Sequence, residues 1–209
     1  MSTVVVNEEA PWRAGWRGAR VNALPAVALQ LVALVLVLAF YHHAPTRDAL
    51  TRLAAWRTEV GVKFAIISTG FFGGLLPVLY LRARRATRAR FTWAQAAAII
   101  AFWAYKGLEI DLFYRFLAWL VGEGHDVGTI AAKMGIDQLI YCPLFAVPTT
   151  VIVYHWAETH FDRAAVTSDW RAPGWYRRKV LPVLISNLGV WVPAVCLIYA
   201  LPTPLQLPL

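Results

Sequence analysis

Ionisable side chains interrupt a long apolar stretch in the middle of this sequence, where their chemistry would be unusual. The run AYKGLEIDLFYRFL carries Lys106, Glu109, Asp111 and Arg115. Spacings of three and four residues place Lys106 beside Glu109, and Asp111 beside Arg115, on a helix surface. Inside a membrane such groups are costly unless they are paired or face water. They therefore indicate either neutral pairs that hold helices together or a hydrated path for a small solute or ion.

A second set of polar residues lies in the next apolar stretch. Lys133 and Asp137 are four residues apart and are predicted to face the same side of a helix, and Gln138 can add a hydrogen bond to a neighbouring helix. We expect the two clusters to meet across a polar seam. Both interpretations stay open here as well: the residues either neutralise each other in the packing or line a solute path.

The composition requires a bilayer around these clusters. Of 209 residues, 59% are hydrophobic and only 15% are charged, and the mean hydropathy is +0.52. A soluble domain of this size leaves too large a fraction of its residues at the surface to hide so much apolar area. The net charge of +8 comes from basic residues clustered between apolar stretches, which is typical of cytoplasmic loops. Nucleic acid is therefore not expected as a partner.

Five stretches approach the roughly 20 apolar residues that a membrane helix needs. They cover about residues 24–41, 61–81, 91–121, 129–156 and 180–201. The first is predicted to be a retained span and not a signal peptide, because its core is long and His42, His43 and Pro45 follow it without a cleavage pattern. The sequence thus predicts an all-α, polytopic transmembrane helix bundle of about five membrane helices.

Basic loops predict the orientation of these helices. The loop between the second and third stretches holds Arg82, Arg84, Arg85, Arg88 and Arg90 and no acidic residue. Two further basic regions precede the first stretch and separate the fourth from the fifth, and an odd number of spans puts all three on one side. The loop 41–60 is the exception, because Arg47, Arg52 and Arg57 then lie on the other side. Its pattern predicts a short helix along the membrane surface.

Motifs for catalysis or for cofactor and metal binding are not found. The sequence has no GxSxG, no P-loop and no GxGxxG, and the spacing of His155, Glu158 and His160 does not match HExxH. Cys142 and Cys196 fall within apolar stretches and are predicted to be free thiols. We therefore expect no cofactor, no metal and no enzyme activity. An intramembrane acid–base enzyme ranks third among the interpretations, because no nucleophile accompanies the charges.

The polar motifs resemble those of the 22-kilodalton peroxisomal membrane protein family and its Mpv-type relatives of the mitochondrial inner membrane. The run KMGIDQLIYCP is similar to the family pattern K-x-x-x-D-Q-x-x-x-x-P at Lys133, Asp137, Gln138 and Pro143. Two further runs resemble family motifs at Gly107, Tyr114, Leu117, Asn187, Trp191, Pro193 and Pro202. In the first of these runs Leu108, Asp111 and Phe113 replace the family's Pro, His and Trp.

The resemblance covers about residues 61–209 and divides the chain. It implies a four-helix membrane core at 61–209, preceded at 1–60 by one extra transmembrane helix and an interfacial loop. It also implies an organellar membrane protein that acts as a weakly selective channel for small solutes, without enzyme activity. The alternative is a scaffold or accessory subunit of a larger membrane complex. The expected partners are the lipid bilayer and either further copies of the chain or other subunits, in a bacterial inner membrane or an organelle membrane.

Overall fold

Seven helices and no β-strand make up the part of the chain that the computed structural model describes, residues 10–85, 87 and 92–206. The helices are α1 Pro11–His42, α2 Ala44–Val60, α3 Val62–Ala83, α4 Trp93–Val121, α5 Val127–Glu158, α6 Arg163–Arg171 and α7 Tyr176–Tyr199. A 3₁₀ turn follows at Thr203–Leu205. The predicted all-α class is confirmed. Arg88, Arg90 and the start of the third predicted stretch lie outside the described residues.

Four of these helices are long and apolar enough to cross a membrane, namely α1, α3, α5 and α7. They correspond to four of the five predicted stretches, so the chain is a helical membrane protein. The fifth stretch is α4, which has 29 residues and is about 43 Å long at 1.5 Å per residue. Its four charged residues, which begin at its middle, separate it from the apolar helices, and it packs directly against α3.

Contacts between helix pairs give their directions. Tyr41 Oη donates to the carbonyl of Ala200 at 2.6 Å, and Gly15, near the start of α1, packs against Ile185 early in α7. Helices α1 and α7 therefore run parallel. This agrees with the predicted odd number of crossings if α4 is counted with the four apolar helices. Between α3 and α4 the order is reversed, and Gly107 lies so close to the Ala65 carbonyl that no side chain would fit. The absence of a Cβ there sets the distance between these two helices.

Three helices in the described part of the chain contain π-helical segments, and each segment ends two residues before a proline. The segments are Gly70–Leu75, Asp137–Ala146 and Tyr176–Val180, and the prolines are Pro77, Pro148 and Pro182. Proline has no N–H, and its ring clashes with the carbonyl four residues earlier. A wider turn moves that carbonyl away. The positions of the prolines predict that these helices bend. The π geometry could not be predicted from the sequence.

The predicted helix in the loop 41–60 is present as α2, and its position along the membrane surface stays a prediction. Helix α2 packs against the segment that follows α7. Leu201 and Leu205 are buried beside Val37 of α1, and Leu50 of α2 packs on this cluster. Helix α7 ends at Tyr199, and the proline-rich segment that follows continues only as the 3₁₀ turn. Helix α2 is thereby held close to α4, where its side chains reach the charged residues.

Candidate functional site

The predicted pair of Asp111 and Arg115 is formed, and it has a third member. Arg115 Nε lies 2.8 Å from Asp111 Oδ2, while Arg57 Nη2 of α2 lies 2.5 Å from Asp111 Oδ1. The Asp111 side chain is 1% exposed and that of Arg57 8%, whereas that of Arg115 is 56% exposed. Burial lowers the pKa of the Arg57 guanidinium, and the Asp111 carboxylate opposes this effect. This ion network joins α2 to α4.

The predicted pair of Lys106 and Glu109 is also formed, one and a half turns earlier on α4. Lys106 Nζ lies 2.5 Å from Glu109 Oε1, and both side chains are almost fully buried. The hydroxyl of Tyr141 on α5 donates to the same carboxylate oxygen, and the Tyr141 ring stacks on Phe113 at 3.9 Å. Glu109 Oε2 is buried without a hydrogen-bond partner among the described residues. The pair thus links α4 to α5 near the middle of the bundle.

The predicted pairing of Lys133 with Asp137 is wrong. Asp137 Oδ2 accepts a hydrogen bond of 2.6 Å from the Tyr199 hydroxyl, and the Cys142 thiol lies 3.8 Å from Oδ1. The π segment begins at Asp137 and brings Cys142, five residues later, onto the same side of the helix. These two partners hold the carboxylate in place of Lys133. Lys133 Nζ is buried and has no hydrogen-bond partner in the part of the chain that is described.

A cavity of about 160 Å³ lies between α4, α5 and α7, and the two polar clusters meet at its wall. Its polar lining includes Lys106, Asp137, Gln138, Cys142 and Asn187, and its aromatic lining includes Trp103, Tyr141 and Trp191. Gln138 is 2% exposed, and its Oε1 has no hydrogen-bond partner among the residues described. Glu109 pairs with Lys106 but does not line this cavity, and neither do Asp111, Arg115 and Lys133. The expected polar seam therefore contains only part of the predicted set.

The cavity suits a small polar occupant. At roughly 30 Å³ per molecule of liquid water, its volume holds about five waters. The Gln138 Oε1 acceptor is open, the charge of Lys106 is balanced by Glu109, and Asp137 already accepts from two neutral donors. The cavity therefore offers hydrogen bonds within apolar and aromatic walls and no ring of unbalanced charge.

No protein-family model, curated protein or solved structure matches this chain. The resemblance to the peroxisomal family thus depends on the motif residues alone. Several of them lie together at the cavity: Asp137, Gln138 and Asn187 provide polar groups, and Trp191 and Tyr114 provide aromatic walls. Gly107 lies at the close approach of α3 and α4. Five of the motif residues therefore line one interior space, although they are up to 77 positions apart in the sequence.

Sequence reasoning missed three partners of the charged residues. Arg57 was assigned to an exceptional loop, and Tyr199 and Tyr141 were not singled out, yet each bonds one of the predicted carboxylates. The partners of Asp111 and Asp137 lie 54 and 62 residues away. A helical spacing rule detects neighbours on one helix only. The one available signal was Arg57 itself, a cation on the side opposite to the other basic regions.

Proposed function

We propose that the cavity between α4, α5 and α7 is part of a path by which small uncharged polar solutes cross the membrane. The proposal depends mainly on Gln138. Its Oε1 atom is buried at the cavity wall and has no hydrogen-bond partner among the described residues. A buried acceptor without a donor is unfavourable in a membrane interior. A passing solute or water that donates a hydrogen bond would satisfy it.

The charges at the cavity favour neutral solutes over ions. Ion pathways use rings of charged side chains or carbonyls that replace the hydration shell. Here Lys106 is balanced by Glu109, and Asp137 is held by the hydroxyl of Tyr199. A solute of about five non-hydrogen atoms occupies the volume of about five waters. Small polyols and small amides have this size and carry hydrogen-bond donors.

The motif resemblance supports this proposal. We propose membership of the 22-kilodalton peroxisomal membrane protein family on Lys133, Asp137, Gln138 and Pro143, the four positions that match its clearest motif. A weakly selective channel for small solutes is the role that this family implies. We propose no catalytic role for the cavity.

The test measures solute entry into liposomes that contain the purified full-length chain. Stopped-flow light scattering with glycerol and with urea should show faster entry than in protein-free liposomes, and Gln138→Leu and Asp137→Asn should slow it. Asp48→Asn is the matched control, because Asp48 is exposed on α2. Rates equal to those of protein-free liposomes for both solutes would contradict the proposal. So would unchanged rates in both cavity variants.

A scaffold is the second candidate, and the Arg57–Asp111–Arg115 network favours it. This network and the Lys106–Glu109 pair join three helices and leave these charges paired, as a purely structural role would require. In this case extraction in a mild detergent should recover other proteins in fixed stoichiometry, and the cavity variants should not alter solute entry. A purified chain that is monomeric and free of partners would count against the scaffold.

A further inference from the structure

A groove with basic walls lies at the side of the membrane where α1 and α7 begin. We call it the headgroup groove, and its volume is about 720 Å³. Its wall from the start of α7 carries Arg177, Arg178 and Lys179, all of them exposed, and among the described residues no acidic side chain lines it. Lys179 Nζ lies 3.9 Å from Asp169 Oδ2 outside the groove, and Arg178 donates to the Pro173 carbonyl. The concave surface nevertheless keeps an excess of positive charge, which attracts an anion. The groove lies next to Tyr176, an exposed aromatic residue that suits the level of the lipid headgroups.

The opposite wall of the headgroup groove is the first turn of α1. Ala10, Pro11 and Ala14 line it. This turn has no acidic residue and no side-chain cap among the described residues. Pro11 has no N–H, and the amides of Arg13 and Ala14 donate to the Ala10 carbonyl, so only the Trp12 N–H is left at the positive end of this 32-residue helix. The helix end adds to the field of the three basic side chains.

A largely apolar groove, with Asn22, Ser186 and Asn187 as its polar lining, continues from the headgroup groove between α1 and α7. The two share Ala14 and Pro182, and the second, which we call the acyl groove, has a volume of about 560 Å³ and extends to Leu29 and Trp191. From Ala14 to Leu29 the rise along α1 is about 22 Å at 1.5 Å per residue. This exceeds half of the roughly 30 Å of hydrocarbon in a bilayer. The acyl groove therefore spans one leaflet.

We propose that these two adjoining grooves bind one anionic phospholipid, with its phosphate group at Arg177, Arg178 and Lys179 and an acyl chain between α1 and α7. The shape requires an amphipathic ligand, because the charged part lies at the membrane surface and the apolar part runs along the hydrocarbon. Basic pockets between membrane helices are known to bind anionic headgroups. A free phosphate ion would fill only the headgroup groove.

The test compares lipids that differ in charge alone. The delipidated full-length chain is exchanged with phosphatidylglycerol or with phosphatidylcholine of the same acyl chains, and the lipid retained per chain is measured by native mass spectrometry. A basic residue near a membrane surface contributes about fivefold to the binding of anionic lipid. Wild-type protein should retain phosphatidylglycerol at least tenfold better, and R177Q/R178Q/K179Q should lose this preference. Equal retention of the two lipids would overturn the proposal.

Matched variants separate site binding from general charge. R84Q/R85Q/R163Q removes three exposed arginines from the same membrane side but outside both grooves, and it should keep the preference. R177K/R178K keeps the charge and should retain phosphatidylglycerol within a fewfold of wild type, which shows that the groove remains folded. Millimolar inorganic phosphate should not displace the lipid. Displacement by phosphate, or an equal loss in R84Q/R85Q/R163Q, would contradict a phospholipid site.

Discussion

Removal of the Asp111 carboxylate should destabilise the protein strongly, because it leaves a buried cation without its partner. Arg57 Nη2 lies 2.5 Å from Asp111 Oδ1, and both side chains are less than a tenth exposed. Removing one member of such a pair costs about 3–5 kcal/mol. At about 2–4 °C per kcal/mol for a chain of this length, Asp111→Leu and Arg57→Met should each lower Tm by about 6–20 °C.

Arg115 provides the internal comparison for this prediction. It bonds the same carboxylate at 2.8 Å, but its side chain is 56% exposed. An exposed ion pair contributes less than about 1 kcal/mol. Arg115→Met should therefore lower Tm by less than about 4 °C. The double variant R57M/D111L removes both buried charges and should recover most of the stability that either single variant loses.

The two free cysteines allow a direct assay of this effect. Cys142 is buried, so its thiol reacts with a fluorogenic maleimide only when the bundle opens, and Cys196→Ser removes the partly exposed second thiol. Thermal melts of the four variants in one detergent then give Tm. An Arg115→Met variant as unstable as Arg57→Met would refute the role of burial. So would a double variant no more stable than Asp111→Leu alone.

Three further predictions concern single groups. Lys133→Met should raise stability by about 1–3 kcal/mol in the same maleimide melt, because the buried amine has no hydrogen-bond partner among the described residues, and a lower Tm would contradict this. Gly107→Val should prevent the close approach of α4 to the Ala65 carbonyl of α3, so a folded monomer in size-exclusion chromatography would refute the packing. Hydrogen bonds from Thr129 lower the pKa of Asp126, so this cap stabilises α5 at neutral pH and is lost as pH falls through the lowered pKa. Hydrogen exchange of the Thr129 amide should therefore accelerate in acid, relative to bulk exchange, in wild type but not in Asp126→Asn.

The parts of this structure that depend on local spacing could be predicted from the sequence. Long apolar runs predicted the helices. Spacings of three and four residues predicted the ion pairs Lys106–Glu109 and Asp111–Arg115. Helix α2 followed from its mixed pattern in the loop 41–60. These signals are local because a helix brings near neighbours in sequence together whatever surrounds it.

The parts that depend on tertiary contacts could not be predicted. Tyr199 bonds Asp137 across two helices, and no periodic pattern relates residues 62 positions apart. The error at Lys133 has the same origin, because the spacing rule cannot detect that Tyr199 of α7 binds the Asp137 carboxylate instead. The prolines that accompany π turns were visible, but proline alone does not distinguish a bend from a widened turn.

The π segment of α5 also determines which residues beyond it face the cavity. A π turn contains one residue more than an α turn, so the helix that follows is rotated by about 100° relative to an uninterrupted one. Val147 and Thr150 line the cavity from this rotated part. Deleting one residue within the segment would turn them toward other neighbours while leaving the chain just as apolar. A sequence alignment between this chain and a protein whose helix is regular at this point therefore requires a one-residue gap inside a membrane span. Gaps at such places are usually penalised.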